Sequence, residues 1–264
     1  VVGALEAVIL GALQGVLEWL PVSSEGNLVL FMVSVMGLEA AKTLRLAVFL
    51  HLGTGFAALL YYRQLVAEIL LGRSEDSARL RILLAVITVV TGVVGLPVYM
   101  LLNFSAAQGE TIMIITGLAL LGTGLMQRGD RGEGYRVSGE ITWTEALTLG
   151  VSQGLSIIPG LSRSGVTTTF LILRGFSVGE SFKLSFLMSI PASFAASLGI
   201  MVLDGVTLSP ASFIGLLSAA VAGFMAMGAL IKLAERVSFW KICVALGAVA
   251  LLASAPSLVG FLVR

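Results

Sequence analysis

Charge, cysteine and histidine are all scarce in this chain. Of its 264 residues only 12% are charged, one is cysteine and one is histidine. Soluble domains carry about 25% charged residues, so an ordinary water-facing globule is excluded. The lone Cys243 excludes an internal disulfide and a thiolate metal cluster, and its apolar surroundings read as a small core position. With 16 Lys and Arg against 15 Asp and Glu and no basic run, nothing could track a phosphate backbone, and no nucleic-acid partner is expected. Walker and Rossmann glycine patterns are absent, and the glycines inside apolar runs read as close-packing positions. No cleavable signal is expected, because the first apolar run lacks a basic leader and runs into a polar cluster instead of a small-residue cleavage site.

What is present is apolar sequence, 57% hydrophobic with a mean hydropathy of +1.02. It predicts an all-α polytopic membrane protein. A spanning helix needs about 20 largely apolar residues, and six runs qualify: 44–62, 80–102, 110–127, 184–203, 210–231 and 241–262. Two further regions, 4–36 and 141–174, are long enough but are broken near the middle by Pro, Gly and Ser. They are expected to be re-entrant helical hairpins, since broken helices at membrane depth are tolerated where they are buried in protein or line a cavity.

The positive-inside rule orients this layout. Arg63, Arg73, Arg79 and Arg81 after the first span, and Arg128, Arg131 and Arg136 in the mid-chain linker, belong in the cytoplasm. The loops at 103–109 and 204–209 carry no Lys or Arg and belong outside, while Lys232, Arg236 and Lys241 mark a return to the inside. Three spans per half then give the second half an inverted orientation.

A repeat supports the same division. Sliding 6–27 onto 145–166, an offset of 139, matches Glu6 with Glu145, Ala7 with Ala146, Leu10 with Leu149 and Gly11 with Gly150. It also matches Gln14 with Gln153, Gly15 with Gly154, Ser23 with Ser162 and Gly26 with Gly165. Eight identities in 22 positions stand against about two expected by chance. The chain thus reads as one membrane domain, with repeats over 1–127 and 141–264 joined by a glycine-rich linker at 128–140.

The polar residues of the two breaks are the candidate site. Gln14 and Glu18 are four apart and share a helix face, so an amide oxygen and a carboxylate converge as ligands for a hard divalent cation, Mg²⁺ or Ca²⁺. The plain alternative for Glu18 is a polar bridge between helices. Ser23 and Ser24 follow Pro21 where a half-helix opens. One reading is an N-cap; the other is a nucleophile or phosphate donor beside free backbone N–H groups. In the second break Ser162, Ser164, Gly165 and Thr167 surround Arg163, whose guanidinium fork suits a phosphate. An Arg163–Glu18 pair serving stability alone is the competing reading. His51 in the first long span is either a packing residue or a proton acceptor. The two hairpins together outline a phosphoryl-type site.

QxxxE followed by PVSS, together with PGLSRSGVT at 159–167, resembles the undecaprenyl-diphosphatase (bacitracin-resistance) family over nearly the whole chain. The resemblance implies six spans with two re-entrant hairpins, a plasma-membrane location and an active site reached from the outer face. It also implies divalent-cation-dependent dephosphorylation of a polyprenyl diphosphate to the monophosphate carrier. It assigns Gln14 and Glu18 to the acidic, metal-holding motif, Ser24 to the nucleophile, Arg163 to catalysis, and Ser23, Ser162, Ser164, Gly165 and Thr167 to substrate. Gln153, the repeat partner of Gln14, is a further candidate. Asn27, also counted among the substrate-binding candidates, stands where the family usually has His, which moves proton chemistry to Glu18, a metal-bound water or His51. A lipid transporter or flippase and a non-catalytic relative are the competing functions, and a homodimer is left open.

Overall fold

The computed structural model describes residues 3–105, 109–128, 134–203, 209–237 and 239–262. Its helices are α1 (Ala4–Leu17), α2 (Ser24–Ser34), α3 (Ala40–Tyr61), α4 (Arg63–Leu71), α5 (Glu75–Ser105), α6 (Gly109–Met126), α7 (Trp143–Leu155), α8 (Arg163–Leu173), α9 (Val178–Leu203), α10 (Pro210–Arg236) and α11 (Trp240–Leu262). Among the described residues the only strand-like pairing is an isolated bridge between Arg136 and Phe176. The stretches Lys42–Tyr61, Glu75–Leu102, Val178–Leu203 and Pro210–Leu233 are long and apolar enough to cross a membrane, so the protein is an all-α polytopic membrane protein. The runs expected at 110–127 and 241–262 coincide with α6 and α11, whose described apolar stretches, Met113–Met126 and Trp240–Leu252, are shorter.

Both broken regions form pairs of half-helices, α1 with α2 and α7 with α8. Each leading half-helix lies along a long helix from the other half of the chain: α1 on α10, α7 on α5. At the centre α3 packs on α9, and α6 packs on α11. Four of the six glycines matched in the repeat explain the close approach. A Cβ on Gly11 would sit 2.2 Å from the Gly215 carbonyl oxygen, and one on Gly15 would sit 2.6 Å from the Gly223 nitrogen. On the other side, Gly150 and Gly154 leave the same room for Val90 and Val94 of α5, each 2.7 Å from the Cβ that is missing. In hydrocarbon there is little hydrophobic drive between helices, so close packing of small residues is a main attraction. Trp19 anchors the end of α1, fully buried, with Nε1 donating to the Gly223 carbonyl at 2.9 Å and its ring edge-on to Phe186.

The two breaks are tied to each other and to α6. The Gly160 N–H donates to Ser23 Oγ at 3.1 Å, and a Cβ on Gly26 would lie 2.7 Å from the Gly160 nitrogen. Thr123 Oγ1 on α6 donates to the Gly160 carbonyl at 3.0 Å and accepts from the Ser162 N–H at 3.1 Å. Just past the end of α6, Gln127 Nε2 donates to the Pro21 carbonyl, which also accepts from Cys243 Sγ at 3.4 Å. Backbone groups freed by the breaks are thereby satisfied inside the protein, as hydrocarbon requires.

One expectation is corrected. The loop expected after the first span is α4, because RQLVAEILL packs Leu65, Val66 and Ile69 against the core and ends on Gly72, whose φ of +59 suits glycine. The linker at 128–140 is pinned over its described part. Arg136 donates both guanidinium nitrogens to Glu145 at 2.8 and 3.0 Å and lies over the Phe176 ring, while Arg79 donates to the Gly139 and Ile141 carbonyls at 2.7 Å each. Glycine content alone carries no information about these long-range arginine contacts. Residues 106–108, 129–133 and 204–208, parts of the predicted outer loops and of the linker, lie outside the described residues.

Candidate active site

Glu18 is the last residue of the α1 turn system: its N–H donates to the Gln14 carbonyl at 3.0 Å, so the helical spacing puts Gln14 and Glu18 on one face. Only 5% of Glu18 is exposed, and both of its carboxylate oxygens are engaged. Oε1 is paired with Arg163 Nη2. Oε2 accepts from Ser24 Oγ at 2.6 Å and from Gln14 Nε2 at 3.0 Å, and it faces His51 Nε2 at 3.3 Å. His51 Nδ1 lies 2.8 Å from the Ala47 carbonyl, an acceptor, so Nδ1 carries hydrogen and Nε2 is the atom turned to the carboxylate.

Ser24 reaches Glu18 because the preceding residue is bent. Ser23 has φ 61 and ψ 85, and it is the one positive-φ residue other than glycine among the described residues. Left-handed backbone disfavours a side chain by about 1–3 kcal/mol and persists where the surroundings impose it. Here Ser23 Oγ accepts from the Gly26 N–H at 3.2 Å and from the Gly160 N–H at 3.1 Å, capping α2 and clasping the second break. Asn27 serves the same turn, with Nδ2 donating to the Val22 and Ser23 carbonyls at 2.8 and 2.9 Å.

On the other side Ser162 caps α8, its Oγ accepting from the Gly165 N–H at 3.1 Å. Ser164 Oγ lies 3.3 Å from Ser162 Oγ and donates to the Leu20 carbonyl at 3.1 Å. Arg163 opens α8 and is held by Nη1 on the Ser185 carbonyl at 2.9 Å; Thr167 Oγ1 donates to the Arg163 carbonyl at 2.8 Å and lies 2.7 Å from Ser185 Oγ. Thr167 therefore fixes the arginine's surroundings.

A small cavity of about 30 Å³ lies between the breaks, lined by Glu18, Ser24, Glu25, His51, Ser162 and Arg163 among others. Glu25, His51 and Arg163 also line a second cavity of about 410 Å³, whose far wall is apolar and includes Leu96, Tyr99, Ile200 and Leu203. The structure thus gathers Glu18, Ser23, Ser24, His51, Ser162, Arg163 and Ser164 around the small cavity. Gln153 faces the large one, with Nε2 donating to Thr91 Oγ1 at 3.0 Å. Gln14, Asn27, Gly165 and Thr167 line neither. Gly165 is a close-approach position, where a Cβ would meet Gln127 Nε2 at 2.8 Å.

Two contributors escaped the sequence reading. Glu25 follows Ser24 directly, and its place in the first turn of α2 was the available signal. Ser185 lies within a long apolar helix, and nothing local marks it.

Carboxylate, hydroxyl and guanidinium gathered at the polar end of an apolar cavity define a class: integral membrane proteins that handle an anionic head group with an apolar tail. The chain belongs to the bacitracin resistance protein BacA family, whose match covers residues 7–249. It is 40% identical to an undecaprenyl-diphosphatase of Haloarcula marismortui over 92% of this chain and 94% of that one. It is also 38% identical to an undecaprenyl-diphosphatase of Methanothrix thermoacetophila over 94% and 96% of the two chains, and 39% identical to one of Methanopyrus kandleri over 93% and 94%.

Proposed function

We propose that the protein hydrolyses undecaprenyl or a related polyprenyl diphosphate to the monophosphate carrier and inorganic phosphate. The observation that carries the reading is the Ser24–Glu18 hydrogen bond of 2.6 Å, beside Arg163 and opening towards the apolar cavity, in a chain of this family. The prenyl tail occupies the 410 Å³ cavity near Leu96, Tyr99 and Ile200, with the diphosphate at its polar end. Arg163 and the N-terminal turns of α2 and α8 supply fixed positive potential for phosphate oxygens.

Chemistry follows from the hydroxyl already given to a carboxylate. Glu18 accepts the Ser24 proton as Oγ attacks the terminal phosphorus, the bridging P–O bond breaks, and the prenyl monophosphate leaves. Water then releases phosphate from Ser24, whose Oγ retrieves its proton from Glu18 while the water proton leaves with the product. Arg163, fixed by Ser185, neutralises charge on the transferring group.

The family resemblance implies a divalent cation, whose contribution when bound is to neutralise diphosphate charge. The donors present are hard oxygens, which fits Mg²⁺ or Ca²⁺, and Glu25 Oε1 is a buried oxygen without a hydrogen-bond partner. Gln14 and Glu18, the pair expected to hold the cation, meet through the Gln14 nitrogen, and the Gln14 oxygen has no partner.

The proposed architecture is six spans with re-entrant pairs α1–α2 and α7–α8 in an inverted repeat over 1–127 and 141–264, with the site reached from the outer face. The exchange-related packing of α1 on α10 and α7 on α5, together with the arginine distribution, supports it. Purified protein in detergent with a polyprenyl diphosphate is expected to release phosphate, and a chelator to stop it. Lipid movement across a vesicle without phosphate release would instead select the flippase reading.

A further inference from the structure

Glu25 sits in the first turn of α2, 7% exposed, lining both cavities. Its Oε1 is buried and has no hydrogen-bond partner. A carboxylate taken out of water is strongly destabilised unless it is paired, hydrogen-bonded or bound to a cation. The nearby cation is already used, because Arg163 is paired with Glu18 and bonded to Ser185. His51 turns Nε2 to Glu18. Among the described residues no basic side chain forms a salt bridge with Glu25, yet it faces a space that must admit a diphosphate. A bare carboxylate there would repel the substrate.

Glu18 is in the opposite condition. One oxygen is held by a guanidinium, the other accepts from Ser24 and Gln14 and faces His51. A divalent cation on Glu18 would displace Arg163 or stand beside it. Among the described residues there is no group of three or more His, Cys, Asp or Glu placed to hold a metal. A hard cation that keeps its waters and takes substrate oxygens needs only one or two carboxylates.

We infer that Glu25 is the protein carboxylate that holds the divalent cation of this site, bridging it to the diphosphate oxygens, while Glu18 is kept for Ser24 and Arg163. The inference rests on the diphosphatase reading for its substrate, but its cation can be measured without turnover.

The experiment is calorimetric titration of Mg²⁺ and Mn²⁺ into detergent-purified protein saturated with a non-hydrolysable methylene analogue of a prenyl diphosphate. Wild type, Glu25→Gln, Glu25→Asp and Glu18→Gln are compared, with thermal melting as the check on folding. Glu25→Gln is expected to weaken cation binding at least about tenfold, Glu25→Asp less, and Glu18→Gln by less than about threefold. In turnover, Glu25→Gln should need a correspondingly higher cation concentration for half-maximal rate. Unchanged cation affinity in a folded Glu25→Gln protein overturns the inference, as does a larger loss in Glu18→Gln than in Glu25→Gln. Cation binding that follows Glu25 in a wild-type protein releasing no phosphate would leave this inference standing and remove the diphosphatase reading.

Discussion

Ser24 Oγ donates to Glu18 Oε2 at 2.6 Å across a break in the chain that contains Pro21, and Ser23, in left-handed backbone, turns the hydroxyl inward. In the proposed mechanism these two are nucleophile and base, within the hydrogen-bonding reach that covalent catalysis requires. Replacing Ser24 by Ala, or Glu18 by Gln, is expected to lower kcat by at least about a hundredfold, as loss of a positioned base does. Phosphate release by protein that still melts cooperatively checks this, and a Ser24→Ala variant at near wild-type rate would remove the hydroxyl from the mechanism.

Arg163 holds two jobs that substitution can separate. Arg163→Ala leaves Glu18 buried without its cation, which should destabilise the protein by about 3–5 kcal/mol. The pair Glu18→Gln with Arg163→Met removes both charges and should regain most of that stability without regaining activity. Arg163→Lys keeps the charge but loses the fork, and a fall in kcat of about 10²–10³ is expected. Melting temperatures and turnover, measured on the same preparations, distinguish the two roles.

Glycines of one composition have opposite expected responses. Gly15→Ala places a Cβ 2.6 Å from the Gly223 backbone nitrogen and should destabilise by about 1–3 kcal/mol. Gly92 and Gly199 line the large cavity and have open space where a Cβ would go. Alanine at either is expected to be neutral or stabilising by up to about 1 kcal/mol, because glycine weakens a helix. A leucine at Gly92 should instead fill the cavity and raise KM for a long prenyl diphosphate more than for a short one.

At the base of α7 the Arg136 hydrogen bonds hold the Glu145 carboxyl down from an ordinary 4.5 to about 2. A carboxyl lowered in the folded state contributes stability above its unfolded value, and that contribution is lost as pH falls from about 4.5 towards about 2. Wild type should therefore lose stability steadily over that window, and Glu145→Gln should be less stable at neutral pH with a flatter acid limb. Melting temperature against pH reads both.

Helix positions were legible because hydropathy reports the burial medium and not the partner: all six apolar runs coincide with helices. The motifs also marked both breaks, since Pro, Gly and Ser interrupt a helix by local rules. Arg79 and Arg136 read as loop charges, yet they fasten the linker, because their acceptors, Gly139, Ile141 and Glu145, are set by tertiary approach. Ser185 shows no local sign for the same reason, whereas Glu25 carries one, its place in the first turn of α2.

By itself, the sequence determined that this chain lives in a membrane, that it breaks twice, and that polar residues gather at Gln14 to Asn27 and Gln153 to Thr167. Those features depend on composition and spacing over a few turns. Only the tertiary structure decided how the polar residues divide their labour. Ser23, Asn27, Ser162 and Thr167 are occupied by backbone and neighbouring hydroxyls, Glu18 is taken by Arg163, and Glu25 is left facing the cavities. Hydrogen-bond partners in hydrocarbon must come from the protein, and which partner is near is fixed by the meeting of two breaks more than a hundred residues apart in the chain.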